Sequence, residues 1–363
     1  METWRLLDLG FLEPLRAQTF YEAVASSVDR GDSPNTIILC QPKSPYVCIG
    51  FHQELEREID ADYCRANDLP IIRRSQGGGA TYLDQNQVFY QVIARGESTV
   101  IPARIEELFE KLLAVPVYVY RQLGLQAEFK PLNDVVVNGR KISGSGAGRF
   151  GDDTIILVGN IILDLDYDSM TRVLRVPDEK FRDKMAKSMR EWVTSLRREL
   201  GSTPEARLIK ELLRQGYQRL LGIDVRPDAP TPEEESMWEM EVKKRHLSPE
   251  WLHQEDVVEG RRGRTVKVAE GVKIVQADYK ATKLIRITAE LAGEKMVNVT
   301  FSGDFFIIPE NSLHHLESML EGASLDRAEI QRIVEDFYRS DVQTPAVRAG
   351  DFVEALMKLK EAA

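Results

Sequence analysis

"RRSQGGGATYLD", residues 73–84, sets two arginines and three consecutive glycines between two apolar runs. Glycine loses more conformational freedom on folding than any other residue. Three in a row therefore mark a backbone that something approaches closely. Amides of such a turn can point into one concavity and bind an anion. The planar guanidinium groups of Arg73 and Arg74 suit phosphate or carboxylate. The stretch is neither GxxxxGK[ST] nor GxGxxG. A flexible hairpin loop is the alternative reading of the glycines, and solvation is that of the arginines.

A second stretch, "NDVVVNGRKISGSGAG", residues 133–148, carries a charge in an apolar strand. Asn138-Gly139 is the preferred pair for a two-residue type I′ turn, which predicts a hairpin. Either Lys141 or Arg140 faces inward, and pattern alone leaves both open. Asn133 and Asp134 could offer oxygen ligands to a divalent cation, or could simply start a strand. Two arginines, a glycine loop, a carboxylate and a strand lysine together suit a nucleotide-activated carboxylate. Such a site must steady charge developing on phosphorus and on a carbonyl oxygen.

Working outward, residues 14–30 show helical spacing through Ala17, Tyr21, Val24 and Val28. "NTIILCQPK", "YVCIGF", "IIRR", "QVFYQVIA" and "TIILVGNIILDLD" read as strands, and "DADYCRANDLP" as a helix. A long amphipathic helix from Pro102 is expected to break near Pro116 and close at Gly124. Residues 169–223 read as helices. This order is too irregular for a doubly wound sheet, so the expected class is α+β with helices on one face of a mixed sheet. The Pro- and Glu-rich "RPDAPTPEEESMWEMEV" predicts a linker. The expected domains are 1–225, a linker over 226–265, and a small α+β unit over 266–363. In that unit, strands are expected near 272–276, 283–290 and 296–301, and helices near 310–321, 326–337 and 350–360.

The chain has 363 residues and a formal net charge of −10, which argues against broad nucleic-acid binding. No run of 18 apolar residues points to a membrane span, and the opening residues do not read as a secretory signal. Three cysteines, Cys40, Cys48 and Cys64, form no CxxC pair. They point to a reducing, cytoplasmic setting rather than a disulfide framework.

The two stretches resemble one family. "RRSQGGGATYLDQNQVFYQV" is similar to the RRxxGGGAVxHD loop of lipoate–protein ligases, and "NDVVVNGRKISGSGAG" to their ND-hydrophobic-GKKISGSA segment. Some 50 residues separate the two, as in that family, which lies in the biotin/lipoate ligase superfamily. The resemblance covers residues 1 to about 225. The tail, with "KATKLIRITAELAGEKMVNVTFSGDFFIIPENSLHHLESML", resembles the family's small accessory domain. The resemblance implies that lipoate and ATP, with Mg²⁺, give lipoyl-AMP, and that an acceptor lysine then takes the lipoyl group. It implies that Arg73, Arg74 and the Gly79-Ala80-Thr81-Tyr82 backbone hold the nucleotide. Gly77 and Gly78 would shape the lipoyl pocket. Lys141 would face inward, to the lipoyl carbonyl and α-phosphate. Asn133 and Asp134 are the candidates for Mg²⁺.

This sequence departs from the family at Leu83, where a histidine is common before the aspartate, and in "GSGAG" for "GSA". It departs again in "LVGNIILDLD", where the family has an HHGTLL-like strand. Octanoyltransferases of the same fold carry a cysteine just before the ND-like segment, and "QAEFKPLNDV" has none. Biotin ligation and non-catalytic acyl binding are the other rivals.

The implied acceptor is a lipoyl-domain protein: a 2-oxoacid dehydrogenase E2 subunit, the glycine-cleavage H protein or a lipoate-binding protein. Residues 171–198 hold nine basic and four acidic side chains in an otherwise acidic chain. Arg182, Lys184 and Lys187 are therefore candidates for docking that acceptor, against the plainer reading of a solvated helix face. Residues from about 265 onward are expected to act in adenylation or in closing the site, without holding the glycine loop.

Overall fold

The computed structural model of the protein describes residues 1–176, 178–254 and 272–362. The chain runs β1 (Thr3–Leu12), α1 (Pro14–Asp29), β2 (Thr36–Pro42), β3 (Tyr46–Ile49), α2 (Leu55–Glu58), α3 (Ala61–Ala66), β4 (Ile71–Arg73), β5 (Thr81–Leu83), β6 (Gln87–Arg95) and α4 (Ile105–Gln122). Next come β7 (Ala127–Lys130), β8 (Asp134–Val137), β9 (Arg140–Phe150), β10 (Thr154–Ile162), α5 (Tyr167–Arg172), α6 (Glu179–Trp192), α7 (Leu196–Leu200), α8 (Ala206–Leu221) and β11 (Asp224–Pro227). α9 (Pro232–Met237), a π-helical turn (Trp238–Val242), α10 (Lys243–Leu247) and α11 (Pro249–His253) lead to β12 (Val272–Lys280), β13 (Leu284–Ala292), β14 (Lys295–Gly303), α12 (Ser312–Leu320), α13 (Arg327–Phe337) and α14 (Ala349–Ala362).

Two compact units result. The first comprises Met1–Cys48, Glu58–Arg74 and Thr81–Leu247; the second comprises Ile49–Arg57, Ser75–Ala80 and the described part of Ser248–Ala363. The first unit is built on an eight-stranded sheet of order β11-β1-β2-β6-β10-β9-β8-β7, beside a small sheet β4-β3-β5. β1 runs parallel to β11 and β2, and the other pairs of the large sheet are antiparallel. The class is α+β with a mixed sheet, as expected.

Helices cover both faces of that sheet, not one. β2 is buried along its whole length and β6 nearly so, the mark of strands packed on two sides. α1 packs on Leu7, Ile38, Ile93 and Ile156 through Phe20, Tyr21, Val24 and Val28. The alternate residues Leu6, Ile37, Val92 and Leu157 are equally buried. α4 and α8 lie on this second face: Tyr120 of α4 donates its hydroxyl to the Ile142 carbonyl of β9 at 2.7 Å, and α8 contacts β6 and β11.

Pro116 does not break α4, which is continuous through it. The lost bond and ring clash cost about 3 kcal/mol. Leu108, Leu112, Val115 and Val119 are buried on both sides of it, each contributing roughly 1.5–3 kcal/mol. α8 crosses close by, with a Cβ on Gly216 placed 2.9 Å from Val115 Cγ1.

The stretch expected as a linker over 226–265 is also different, as far as it is described. Thr231 caps α9 in a reciprocal box with Glu234, and Pro232 takes the first helical position. Glu234 is 1% exposed and accepts from both terminal nitrogens of Arg5, at 3.2 and 2.5 Å, and from Ser33 Oγ at 2.9 Å. Trp238 donates Nε1 to Thr19 Oγ1 at 3.0 Å. The prolines and glutamates are helix-start chemistry, and residues to Leu247 belong to the first unit. Residues 255–265 lie outside the described residues.

In the second unit, β12-β13-β14 form an antiparallel sheet. Ile285, Ile287, Ala289 and Leu291 alternate inward along β13 and share a core with Phe301, Phe305, Phe337, Phe352 and Leu356. α14 packs on β12 and β13.

Candidate functional site

Lys141 sits on β9 beside a register shift. Val135 pairs with Ser143 while Val136 pairs with Lys141, so Ile142 is an extra residue. A bulge of this kind re-aims the neighbouring side chain. Lys141 Nζ lies 2.6 Å from Asp134 Oδ1. A Cβ on Gly144 would fall 2.8 Å from Lys141 Cε, so the glycine makes room for the lysine stem. Arg140 turns instead to Glu199 of α7 at 2.7 Å. The lysine's backbone is tied as well, since its carbonyl accepts from Thr194 N at 2.8 Å.

The turn before β9 has the geometry its sequence dictates, with φ of 51° at Asn138 and 75° at Gly139. Asn133 and Asp134 each have a partner within the protein. Asp134 pairs with Lys141, and Asn133 gives its side-chain amide to the Ser145 carbonyl. An ammonium group supplies the charge that a metal would bring, so this pair does not fit Mg²⁺. Among the described residues, no group of three or more His, Cys, Asp or Glu is placed to hold a metal.

A chain of hydrogen bonds joins the two sequence motifs inside the first unit. Gly144 N–H donates to Asn160 Oδ1 at 3.0 Å, Asn160 Nδ2 donates to Gln87 Oε1 at 2.6 Å, and Gln87 Nε2 donates to the Tyr82 carbonyl at 3.3 Å. The strand of Lys141 is thus bonded through β10 and β6 to the strand that leaves the glycine loop. Sequence reading missed Asn160 and Gln87. Their signal was a polar side chain inside two largely apolar strands.

The two arginines divide. Arg73, on β4, is 1% exposed. Arg74 is half-buried, and its Nη1 donates to Cys48 Sγ at 3.5 Å. Thr81 is half-buried, while the Tyr82 ring is in the core, where burial pushes its hydroxyl up to about 12. Only the backbone of Tyr82 is therefore suited to a ligand. Burial likewise raises the Asp84 carboxyl, against the hydrogen bond it accepts from Asn86 N at 2.9 Å.

The glycine loop itself belongs to the second unit, contrary to expectation. Gly77 and Gly78 are buried and face Phe305 of the C-terminal segment, whose carbonyl accepts from Gly78 N at 3.3 Å. They abut protein backbone, which explains why no side chain is allowed there. Gly79 is exposed and Ala80 half-buried.

Around α5 and α6, Arg182 is not a free charge. Its Nη1 donates to the carbonyls of Thr171 at 2.8 Å, Arg172 at 3.1 Å and Leu174 at 3.2 Å. It caps the end of α5. Lys184 and Lys187 are exposed. All three cysteines are buried. Burial lifts the Cys40 thiol to about 12 and the Cys64 thiol to about 11, and it raises Cys48 despite the neighbouring Arg74.

Residues 13–218 match the model of the lipoyl protein ligase A/B catalytic domain. The chain belongs to this family. The octanoyltransferase LipM of Kyrpidia tusciae is 29% identical over 273 residues, covering 69% of this chain and 98% of that protein. Lipoate-protein ligase A subunit 1 of Thermoplasma acidophilum is 31% identical over 239 residues, covering 63% and 88%. Among solved structures, a bi-partite lipoate protein ligase studied with its E2 lipoyl domain from Thermoplasma acidophilum superposes with a TM-score of 0.63 at 30% identity, over 70% of this chain and 97% of that one. A lipoate-protein ligase A bound with ATP gives 0.60 at 26% identity, over 70% and 99%.

Within the lipoyl ligase A/B family, the named relatives thus include both ligases and octanoyltransferases. β10 offers Asn160 to the Lys141 strand. Among the described residues, no helix is long and apolar enough to cross a membrane.

Proposed function

We propose that the protein is a lipoate–protein ligase. Lipoate's carboxylate attacks the α-phosphorus of ATP and expels pyrophosphate, forming the mixed anhydride lipoyl-AMP. The amine of an acceptor lysine then attacks the lipoyl carbonyl, AMP leaves, and an amide remains. Lys141 steadies charge on the α-phosphate and the carbonyl oxygen, a preorganised donor of the type that carries much of such catalysis. Arg74 and the Thr81 backbone hold the nucleotide. The acceptor is a lipoyl-domain protein, as the E2 lipoyl domain is for the Thermoplasma relative. The cytoplasm is the proposed setting.

The observation that carries ligase over octanoyltransferase is the state of the thiols. A thioester route needs an accessible, ionisable cysteine, and Cys40, Cys48 and Cys64 are each no more than 1% exposed, with thiols raised by burial. The test is incubation with lipoate, ATP and a lipoyl domain. A mass gain of one lipoyl group on the acceptor lysine, with AMP released, supports the reading. Octanoyl transfer without ATP, through an acyl-enzyme, contradicts it.

A further inference from the structure

The hairpin that carries Lys141 has two neighbouring registers open to it, and they send the lysine to opposite faces. In the observed one, Asn138-Gly139 is a two-residue turn. Val137 pairs with Arg140, Val136 with Lys141 and Val135 with Ser143, which leaves Ile142 as the extra residue. Moving the extra residue into the turn gives a three-residue loop, Asn138-Gly139-Arg140, which is also a common hairpin length. Val137 would then oppose Lys141 and Val136 would oppose Ile142, with the pairs from Val135 and Ser143 onward unchanged. Side chains alternate between faces along a strand, so Asp134 and Val136 share one face of β8 and Val137 takes the other. A one-residue slip therefore carries Lys141 off the face of Asp134. Glu199 grips the observed register at three points. Its side chain is 6% exposed, and its carboxylate accepts from Arg140 Nη2 at 2.7 Å, Thr194 Oγ1 at 2.5 Å and Asn138 Nδ2 at 3.2 Å. Thr194 is itself buried, and its N–H donates to the Lys141 carbonyl at 2.8 Å. Val193 beside it forms a bridge with Lys141. All these residues lie in the first unit.

We propose that Glu199 is a positioning residue that sets the register of this hairpin, so that Lys141 and not Arg140 stands beside Asp134; its consequence for catalysis rests on the adenylating reading above. The three bonds to Glu199 hold together only while Asn138-Gly139 forms the whole turn and Arg140 begins the next strand. The slipped register would draw Arg140 into the loop and break the Thr194–Lys141 bond. It would also turn Lys141 toward the face that Glu199 occupies. Two adjacent cations are thus given fixed and different roles by one carboxylate. A donor acts best when it is aimed before the charge develops, and here the aim is set by strand register. Glu199 touches no reacting atom.

The test uses the full chain and disturbs the register in two ways. Glu199→Ala removes the grip. Arg140→Gly keeps Glu199 with Thr194 and Asn138 but offers glycine at the third loop position, where a left-handed backbone is wanted. Thermal melts report folding, and Arg140→Gly carries the test if Glu199→Ala does not fold. Register is read without substrate, by NMR of the ligand-free protein labelled on valine and lysine. The strongest cross-strand NOE of Lys141 is expected to reach Val136 in the wild type and Val137 in both variants. In lipoate-dependent pyrophosphate exchange, both variants are expected to lose on the order of 10²-fold in kcat, with KM for ATP little changed. Glu199→Gln keeps the oxygen that accepts from Arg140 and Thr194, so it is expected to retain the Val136 NOE and most of kcat. An NOE that stays on Val136 in the folded variants overturns the proposal, and so does wild-type kcat once the NOE has moved. A moved NOE with no exchange even in the wild type upholds the register role and contradicts the adenylating reading instead.

Discussion

Lys141 Nζ lies 2.6 Å from Asp134 Oδ1, across a hairpin whose Gly144 leaves the lysine stem just enough room. On the adenylating reading proposed above, the pair parks a charge that the chemistry needs, in a partly exposed place where a substrate phosphate can draw it away. Gly144→Ala is therefore expected to displace Lys141, because the added methyl would come within 2.9 Å of Nζ. Adenylation should fall on the order of 10²-fold, as for loss of one preorganised donor, with the melting midpoint nearly unchanged. Steady-state pyrophosphate exchange alongside thermal melts checks this.

Asn160 is expected to matter for both stability and rate. Asn160→Leu leaves the Gly144 amide and the Gln87 side chain without the partners they have now. Gln87 is buried, and a buried group so stranded costs roughly 1–3 kcal/mol; the half-exposed Gly144 amide loses less. Denaturant melts should show that loss. Adenylation should fall by more than the melts account for, because β9 and β5 are no longer bonded through one chain.

Much of this architecture was legible in the sequence. Strand periodicity, the Asn138-Gly139 turn and the glycine loop all act locally, and local signals survive in a linear string. What was not legible depended on distant partners. Glu234 looked like part of a charged linker because its partner, Arg5, lies 229 residues away. The packing of Gly77 and Gly78 on Phe305 is not visible from the loop, because some 228 residues separate them. Arg182 reads as one charge of a basic segment because the three backbone carbonyls it caps are not visible as such in the string. Pro116 predicted a break because its cost is local and the burial that offsets it is not.

The thiols should be chemically silent. Burial holds Cys64 at about 11 and Cys40 at about 12, so the thiolate is favoured only well above neutral pH. Alkylation of the native protein is expected to stay slow at pH 7 and to accelerate as pH rises toward those values, or on unfolding. Replacing Cys40, Cys48 and Cys64 by Ala should leave acyl transfer largely intact. Loss of transfer with any single replacement, together with an acyl-enzyme in the mass spectrum, would favour the thioester route.

Acceptor docking should depend on Lys184 and Lys187, which are exposed on α6. Reversing both to Glu is expected to raise the apparent KM for the acceptor and flatten its salt dependence, since steering is screened over roughly 8 Å at physiological salt. Pyrophosphate exchange should stay near wild type. An equal fall in exchange and transfer would assign these lysines to the nucleotide instead.

The most direct test of the ligase reading is lipoate-dependent exchange of pyrophosphate into ATP, measured for the wild-type chain and for Lys141→Ala. The account predicts exchange that requires lipoate in the wild type and falls on the order of 10² to 10³-fold in the variant, with the fold intact. Absence of exchange in the wild type, or wild-type exchange in Lys141→Ala, would contradict it.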